Sequence, residues 1–420
     1  MKINKKSICI SLVFLLLMLA SCGRDGASET TEKRMTETTA AETITEETTT
    51  EETTTEETTT EEITTEALVP PDPYEDYLSQ MSPEEKVGQL FIIRVESAAG
   101  ILLGTNGARG GYTSLSEEME AFLAEYPPGG FCLFADNIQT PEQLAELVEQ
   151  LNACESIPPI LCIDEEGGGV RRLGANGNFD VDYVGSMESI EDAEEAYAAG
   201  STIGSYLSGY GFTLDLAPVA DVKTNSGNTV IGSRAFGSDP QRVAELTESY
   251  LDGLHAQGMK GCMKHFPGQG GTSGDTHNGV VTLDKTWQEM TDCELVPYLE
   301  NDEKTDAILV AHILLPQVTT DGYPASLSAE LITGKLRGEL GYEGLVMTDS
   351  LAMGAIVKEY GPSEAAVMAL EAGNDILLMP QNYEEAYLAV LEAVKSGRVS
   401  EEQLDEHVLR ILKFKDLHLD

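Results

Sequence analysis

Basic residues are scarce in this chain. Its 420 residues hold 26 Lys and Arg against 72 Asp and Glu, a formal net charge of −46. So one-sided a balance excludes nucleic acid as a partner, because that affinity depends on neutralising phosphates with Lys and Arg. It equally excludes docking on an anionic membrane through a basic face. Aromatics are only 6%, but with 41% hydrophobic residues the chain can still bury a real core. No Cys-x-x-Cys pair occurs among the seven cysteines, which speaks against a zinc ribbon or a thioredoxin-type site. No Gly-x-x-x-x-Gly-Lys occurs, so the chain lacks a P-loop. The six histidines contain no His-x-His, the common opening of the ligand set in metal-dependent barrel hydrolases. No metal or cofactor is expected.

Only one apolar run is long. Ser7–Leu19 follows Lys2, Lys5 and Lys6 and is short for a membrane-spanning helix. It leads into Leu19-Ala20-Ser21-Cys22, a pattern that resembles a bacterial lipoprotein signal. The resemblance implies cleavage before Cys22, lipidation of its sulfur, and an extracytoplasmic protein held at the membrane by that anchor alone. Of the other cysteines, Cys132, Cys162 and Cys262 lie in apolar runs and are expected to pack as small hydrophobes.

Residues 23–70 are rich in Thr and Glu, with Glu-Glu-Thr-Thr-Thr recurring from Glu46 to Thr60. With almost no apolar residues and charge of one sign, this segment has nothing to offset the entropy of ordering and reads as an extended tether. The folded part is expected over residues 71–420.

Eight short apolar runs follow, separated by helical stretches: Val87–Arg94, Phe131–Phe134, Ile160–Asp164, Phe212–Pro218, Gly261–Phe266, Ala307–His312, Gly344–Asp349 and Ile376–Pro380. Thr140-Pro141 announces a helix over Glu142–Leu151, and Ser400-x-x-Gln403 forms a capping box for the last one. Eight β/α repeats in this length predict an α/β fold, a TIM-type (β/α)₈ barrel, with an open doubly wound sheet as the alternative. Such a barrel carries its active site at the C-terminal ends of its strands. There this sequence places Asp164, Asp215, Asp221, Lys264, His265, His312 and Asp349. Polar groups that close apolar strands are costly to bury without partners, so several together point to one shared pocket.

The stretch Lys264-His265-Phe266-Pro267-Gly268-Gln269 leaves a strand and enters a glycine-rich loop that reaches Asp275, His277 and Gly279. Asp275 and His277 stand two apart, so an extended segment would point both to one side. The carboxylate would then fix the imidazole tautomer and strengthen His277 as a general acid/base; an exposed loop pair without a role is the other reading. Asp349 ends an apolar strand and is the best-placed nucleophilic carboxylate for retaining glycoside hydrolysis, or else the N-cap of the next helix.

These pieces, in this order, resemble glycoside hydrolase family 3, in its single-barrel β-N-acetylhexosaminidase branch. The resemblance rests on Asp164-Glu165-Glu166-Gly167-Gly168, Leu216-Ala217-Pro218, Ile231-Gly232-Ser233-Arg234, Lys264-His265-Phe266-Pro267-Gly268, Asp275-x-His277, Ala311-His312 and Pro324-Ala325-Ser326. It implies Asp349 as nucleophile, His277 with Asp275 as the acid/base dyad, and Asp164, Arg172, Arg234, Lys264 and His265 as sugar contacts, with His312 a further candidate. The implied substrate is a carbohydrate with terminal β-linked N-acetylglucosamine, in peptidoglycan fragments or chitin-like oligosaccharides. Alternatives are a silent carbohydrate-binding lipoprotein, a phosphorylase, or another family 3 β-glycosidase. Two positions depart from the family pattern: Gly169 where Arg is usual after the glycine pair, and Gln269 where His is usual.

Overall fold

The computed structural model describes residues 72–104 and 111–417. The export signal with Cys22 and the Thr/Glu tether lie outside them. The described residues belong to one compact unit, Leu68–Asp420. No helix among them is long and apolar enough to cross a membrane.

All eight apolar runs contain a strand: β1 Phe91–Ile93, β2 Gly130–Leu133, β3 Ile160–Ile163, β4 Leu214–Asp215, β5 Lys260–Phe266, β6 Ala307–Val310, β7 Leu345–Thr348 and β8 Leu377–Leu378. Every pairing is parallel, in the order β8-β1-β2-β3-β4-β5-β6-β7. A parallel bridge from Met347 to Ile376 joins the last strand to the first. The sheet therefore curls into a barrel, and the open-sheet alternative is set aside. The strands read as unbroken apolar runs because helices cover the outside and packed side chains fill the inside. Cys132, Cys162 and Cys262 are buried free thiols in this packing.

One run needs correction at its start. Val87–Gln89 belongs to a helix, Pro83–Gln89, which is opened by a Ser82–Glu85 capping box, and only Phe91–Ile93 is strand. Apolar periodicity cannot separate the buried turn of a helix from the strand that follows it. The helix signals were sound. Thr140 caps Pro141–Ala153, and Ser400 with Gln403 caps Glu401–Lys415.

The N-terminal end of the barrel is tied by a buried carboxylate. Asp375, just before β8, accepts from Arg337 (2.6 Å), Arg410 (2.9 Å) and the Val346 N–H (2.8 Å), with His407 Nδ1 at 2.8 Å. Burial opposes its ionisation, but His407 and Arg337 outweigh it and hold the carboxyl below its usual range. This cluster fastens the C-terminal helix to β7 and β8 at the end of the barrel away from the candidate site.

Candidate active site

At the C-terminal ends of the strands lies a cavity of about 550 Å³. Its lining takes in Asp164, Arg172, Arg234, Lys264, His265, His277 and Asp349. All the expected sugar contacts and both expected reacting groups thus share one space. Asp215, Asp221 and His312 do not line it, and Asp275 stands behind His277.

The floor is an ion lattice. Lys264, 2% exposed, reaches Asp164 Oδ1 and Glu166 Oε1, both at 2.7 Å. Arg234 grips Glu166 with two nitrogens, at 2.7 and 2.8 Å. Arg172 completes the set on Asp164 Oδ2 at 3.2 Å. Burial alone would neutralise these carboxyls. Instead Lys264 and Arg172 hold Asp164 well below the usual range, and Lys264 and Arg234 pull Glu166 down to about 2. The carboxylates in turn push Lys264 and Arg234 up against the effect of burial. Asp164, Glu166, Lys264 and Arg234 are therefore all ionised at neutral pH.

Successive residues of a strand normally face opposite sides, yet Lys264 and His265 both line the cavity. The cause is a register shift: Lys264 pairs with Leu309 and Phe266 with the next residue, Val310, so His265 is left as the extra residue of a bulge. Its ring is then held from both sides. Nδ1 lies 2.7 Å from Asp221 Oδ2, and Nε2 lies 3.2 Å from Arg234 Nη2. Arginine only donates, so Nε2 accepts and Nδ1 carries the proton that is given to Asp221. Asp221 also accepts from the Gln269 N–H at 2.5 Å, at the root of the glycine-rich loop.

Arg172 is placed by a residue that never touches the cavity. The carboxylate of buried Glu165 accepts from the backbone N–H groups of Arg172 (2.7 Å), Leu173 (3.0 Å) and Gly174 (2.7 Å) and from the Tyr206 hydroxyl (3.0 Å). Asp215, expected near the site, is instead sealed beneath it. It accepts the Glu165 N–H at 3.0 Å, and burial pushes its carboxyl well up.

The Asp275–His277 pair forms, though not in extended chain. One oxygen of Asp275 accepts both the His277 backbone N–H (2.9 Å) and its Nδ1 (2.8 Å), and the chain turns there rather than running straight. Nδ1 is thereby committed and Nε2 is left to act. The pair is half-exposed, at the mouth of the cavity. Gly354 seats it: a Cβ there would lie 2.3 Å from the His277 carbonyl oxygen. The Ala355 N–H also donates to Thr276 O at 3.0 Å. The loop after β5 is thus fastened to the segment just beyond Asp349.

Asp349 does not cap a helix, since the next one begins at Gly354 with Met353 as its N-cap. Its Oδ1 accepts the Ser350 N–H at 2.7 Å, and its own N–H donates to Val310 O at 2.9 Å. Beneath it, buried His312 donates from Nε2 to Ser350 O (2.9 Å) while Nδ1 takes the Ser326 hydroxyl (2.6 Å). Burial lowers the His312 pKa against the pull of Asp349, so it stays a neutral brace. His312 braces the Ser350 backbone and does not line the cavity.

Sequence reasoning passed over Glu166, Glu165 and the bracing role of Asp221. Arg94 was missed as well: 4% exposed, it lines the cavity with its guanidinium 4.1 Å from the centre of the Phe134 ring and Nε 3.0 Å from Glu96. The acids closing β3 and β4 gave a signal, but nothing local tells which of them face inward. Among the described residues no group of three or more His, Cys, Asp or Glu is arranged to hold a metal ion.

The comparisons with known proteins point to one family. Residues 82–414 match the glycosyl hydrolase family 3 N terminal domain. A β-hexosaminidase A of Pseudoalteromonas piscicida is 30% identical over 80% of this chain and 61% of its own length. A β-hexosaminidase of Idiomarina loihiensis is 33% identical over 64% of this chain and 81% of its own. Among solved structures, a family 3 β-N-acetylglucosaminidase from Paenibacillus sp. str. FPU-7 superposes with a TM-score of 0.73 at 36% identity, covering 80% of this chain and 62% of that one. The chain thus spans about three fifths of the first relative and of this structure.

Proposed function

The chain belongs to glycosyl hydrolase family 3, and from that premise we propose that it is a retaining β-N-acetylhexosaminidase that releases terminal, non-reducing β-linked N-acetylglucosamine. The observation that carries this reading is that His277 and Asp349, far apart in sequence, line one cavity. Its volume, about 550 Å³, suits a sugar-sized ligand.

The roles follow from the contacts. The ionised lattice of Asp164, Arg172, Lys264 and Glu166–Arg234 offers charged donors and acceptors to hydroxyl and acetamido groups. In the first step a carboxylate oxygen of Asp349 attacks the anomeric carbon. His277, with Nδ1 held by Asp275, gives the proton on Nε2 to the glycosidic oxygen. The C–O bond breaks, its electron pair stays on that oxygen, and the leaving sugar departs. In the second step His277 takes a proton from water, the water oxygen attacks the anomeric carbon, and Asp349 is released.

Phosphate could in principle replace water. The charge pattern favours water: Lys264, Arg234 and Arg172 are each committed to Asp164 or Glu166. An incoming phosphate would meet neutralised cations and the carboxylate of Asp349.

The test is turnover of an aryl β-N-acetylglucosaminide against an aryl β-glucoside, with phosphate present and absent. The proposal expects preference for the first substrate and free sugar as product in both buffers. No turnover, preference for the glucoside, or a sugar 1-phosphate product would each reject it. The proposed place of action is outside the cytoplasm, at the cell membrane, held there by lipid on Cys22; metabolic labelling with a fatty acid should mark the wild type and not Cys22→Ala.

A further inference from the structure

Two sides of the catalytic cavity differ in character. The charged lattice comes from the ends of β3 and β5 and from Arg234. Another side is built by the ends of β7 and β8. There Asp349 and Ser350 are joined by the apolar Ala352, Met353, Leu378 and Met379. These two strand ends are tied together at the level of Asp349. The Leu378 N–H donates to Thr348 Oγ1 at 3.0 Å, and the Leu351 N–H donates to Leu378 O at 2.9 Å. The stretch that carries Asp349 therefore lies against the stretch that carries Met379. The two methionines are nearly covered, Met353 at 4% and Met379 at 6% exposure.

Met379 is held there against the preference of its backbone. Its φ is +47°, and among the described residues only one other non-glycine residue, Asp416, has a positive φ. Asp416 is the C-cap of the last helix, a common place for a left-handed residue. Met379 caps no helix. It follows β8 directly, and its N–H donates to Ile92 O at 2.8 Å, which fixes the backbone. Glycine would adopt this conformation without strain. A long side chain carried on left-handed backbone, in the wall of a catalytic cavity, points to a use for that side chain.

The proposed reaction says what the use is. Asp349 attacks the anomeric carbon, and the next ring carbon, C2, is bonded to it. The substituent on C2 of the bound sugar therefore lies beside Asp349. In an N-acetyl sugar that substituent ends in a methyl group, the most apolar part of a molecule otherwise ringed with hydroxyls. The charged lattice offers a methyl nothing. Thioethers suit it, being apolar, polarisable and adaptable in shape. Ser350, on the same side of the cavity, carries a hydroxyl within the reach of a neighbouring amide.

We infer that Met379, with Met353, forms the apolar wall that receives the methyl of the C2 acetamido group, and that Met379 sets the preference for N-acetyl over 2-hydroxy sugars. The inference rests on the proposed hydrolase reading, which brings Asp349 to the anomeric carbon.

The test measures kcat/KM of the full-length protein on an aryl β-N-acetylglucosaminide, the matching N-butanoyl compound and an aryl β-glucoside. It reads ratios between substrates, which general damage to the site would not move. Met379→Gly removes the wall and suits the backbone. Met379→Gln keeps the length and sets an amide against the methyl. The acetyl-to-glucoside ratio should fall about tenfold or more in both variants, the size of one methyl group's fit in an apolar pocket. The butanoyl-to-acetyl ratio should rise several-fold in Met379→Gly. If the wild type prefers the N-acetyl substrate and both variants keep its ratios, the wall is overturned while the hydrolase reading stands. That is also the result expected of a side chain facing the ring-oxygen edge, which all three sugars share. A wild type that cleaves the glucoside at least as well overturns both. If the wild type cleaves none of the three, the hydrolase reading fails, and calorimetric titration with N-acetylglucosamine and with glucose decides the wall. Tighter binding of N-acetylglucosamine than of glucose by the wild type, lost in both variants, then supports it, and any other pattern overturns it.

Discussion

Replacing Glu166 with Gln keeps the shape of the lattice and removes one charge from its centre. Lys264 at 2.7 Å and Arg234 at 2.7 and 2.8 Å both lose their shared anion, though Lys264 keeps Asp164 and Arg234 keeps the Val230 carbonyl at 3.2 Å. Breaking a buried pair by removing one partner costs about 3–5 kcal/mol. A second route gives a similar size. The carboxyl is drawn from 4.5 down to about 2, and at ~1.4 kcal/mol per pH unit that corresponds to about 3 kcal/mol. With an unfolding entropy of ~2.1 cal/mol/K per residue over the folded part alone, the protein should lose roughly 4–7 °C in Tm. The pH dependence has a definite sign. A carboxyl whose folded pKa is depressed contributes its full stability above its unfolded pKa and loses it as pH falls through the folded value. The stability gap between wild type and Glu166→Gln should therefore be widest above about pH 5 and close towards pH 2. Urea unfolding of both proteins at a series of pH values measures it. A gap below about 1 kcal/mol at pH 7, or one that does not change with pH, would show that Glu166 does not anchor the two cations.

Asp375→Asn should also destabilise by about 3 kcal/mol or more, because Arg337 and Arg410 lose their buried partner. This contribution too is present above the unfolded pKa and lost in acid. KM and kcat should stay unchanged at permissive temperature, since the cluster lies at the far end of the barrel. Asp275→Ala frees the His277 ring and should lower kcat by about 10²-fold, with little change in KM, in steady-state assays. Gly354→Ala pushes a Cβ towards the His277 carbonyl from a starting separation of 2.3 Å; kcat should fall by roughly tenfold or more while Tm moves little.

The barrel was legible because its eight strands are short, apolar and spaced by helices with clear caps; the rule that parallel strands are buried on both faces does most of that work. The start of the first run was misread because Val87 to Gln89 is as buried in its helix as Phe91 is in its strand. At the site, polar residues at strand ends were visible, but which of them point inward was not. Asp215 and Asp164 look alike in sequence, yet one lines the cavity and the other is sealed beneath it. The bulge at His265 depends on how β5 pairs with β6, a long-range fact that alternation cannot supply. The Asp275–His277 contact was expected for side chains of an extended segment, and a local turn delivers it instead. Glu166 escaped notice because only the fold brings Arg234 and Lys264 to it.

In the proposed reaction Asp349 forms the bond to the sugar while His277 serves the opposite oxygen. A slow-turnover fluorinated N-acetylglucosamine donor, followed by proteolysis and mass spectrometry, tests it directly. The account predicts one sugar equivalent covalently attached to the peptide that contains Asp349, and no label in Asp349→Asn. Attachment at any other residue, or full labelling of Asp349→Asn, would contradict it.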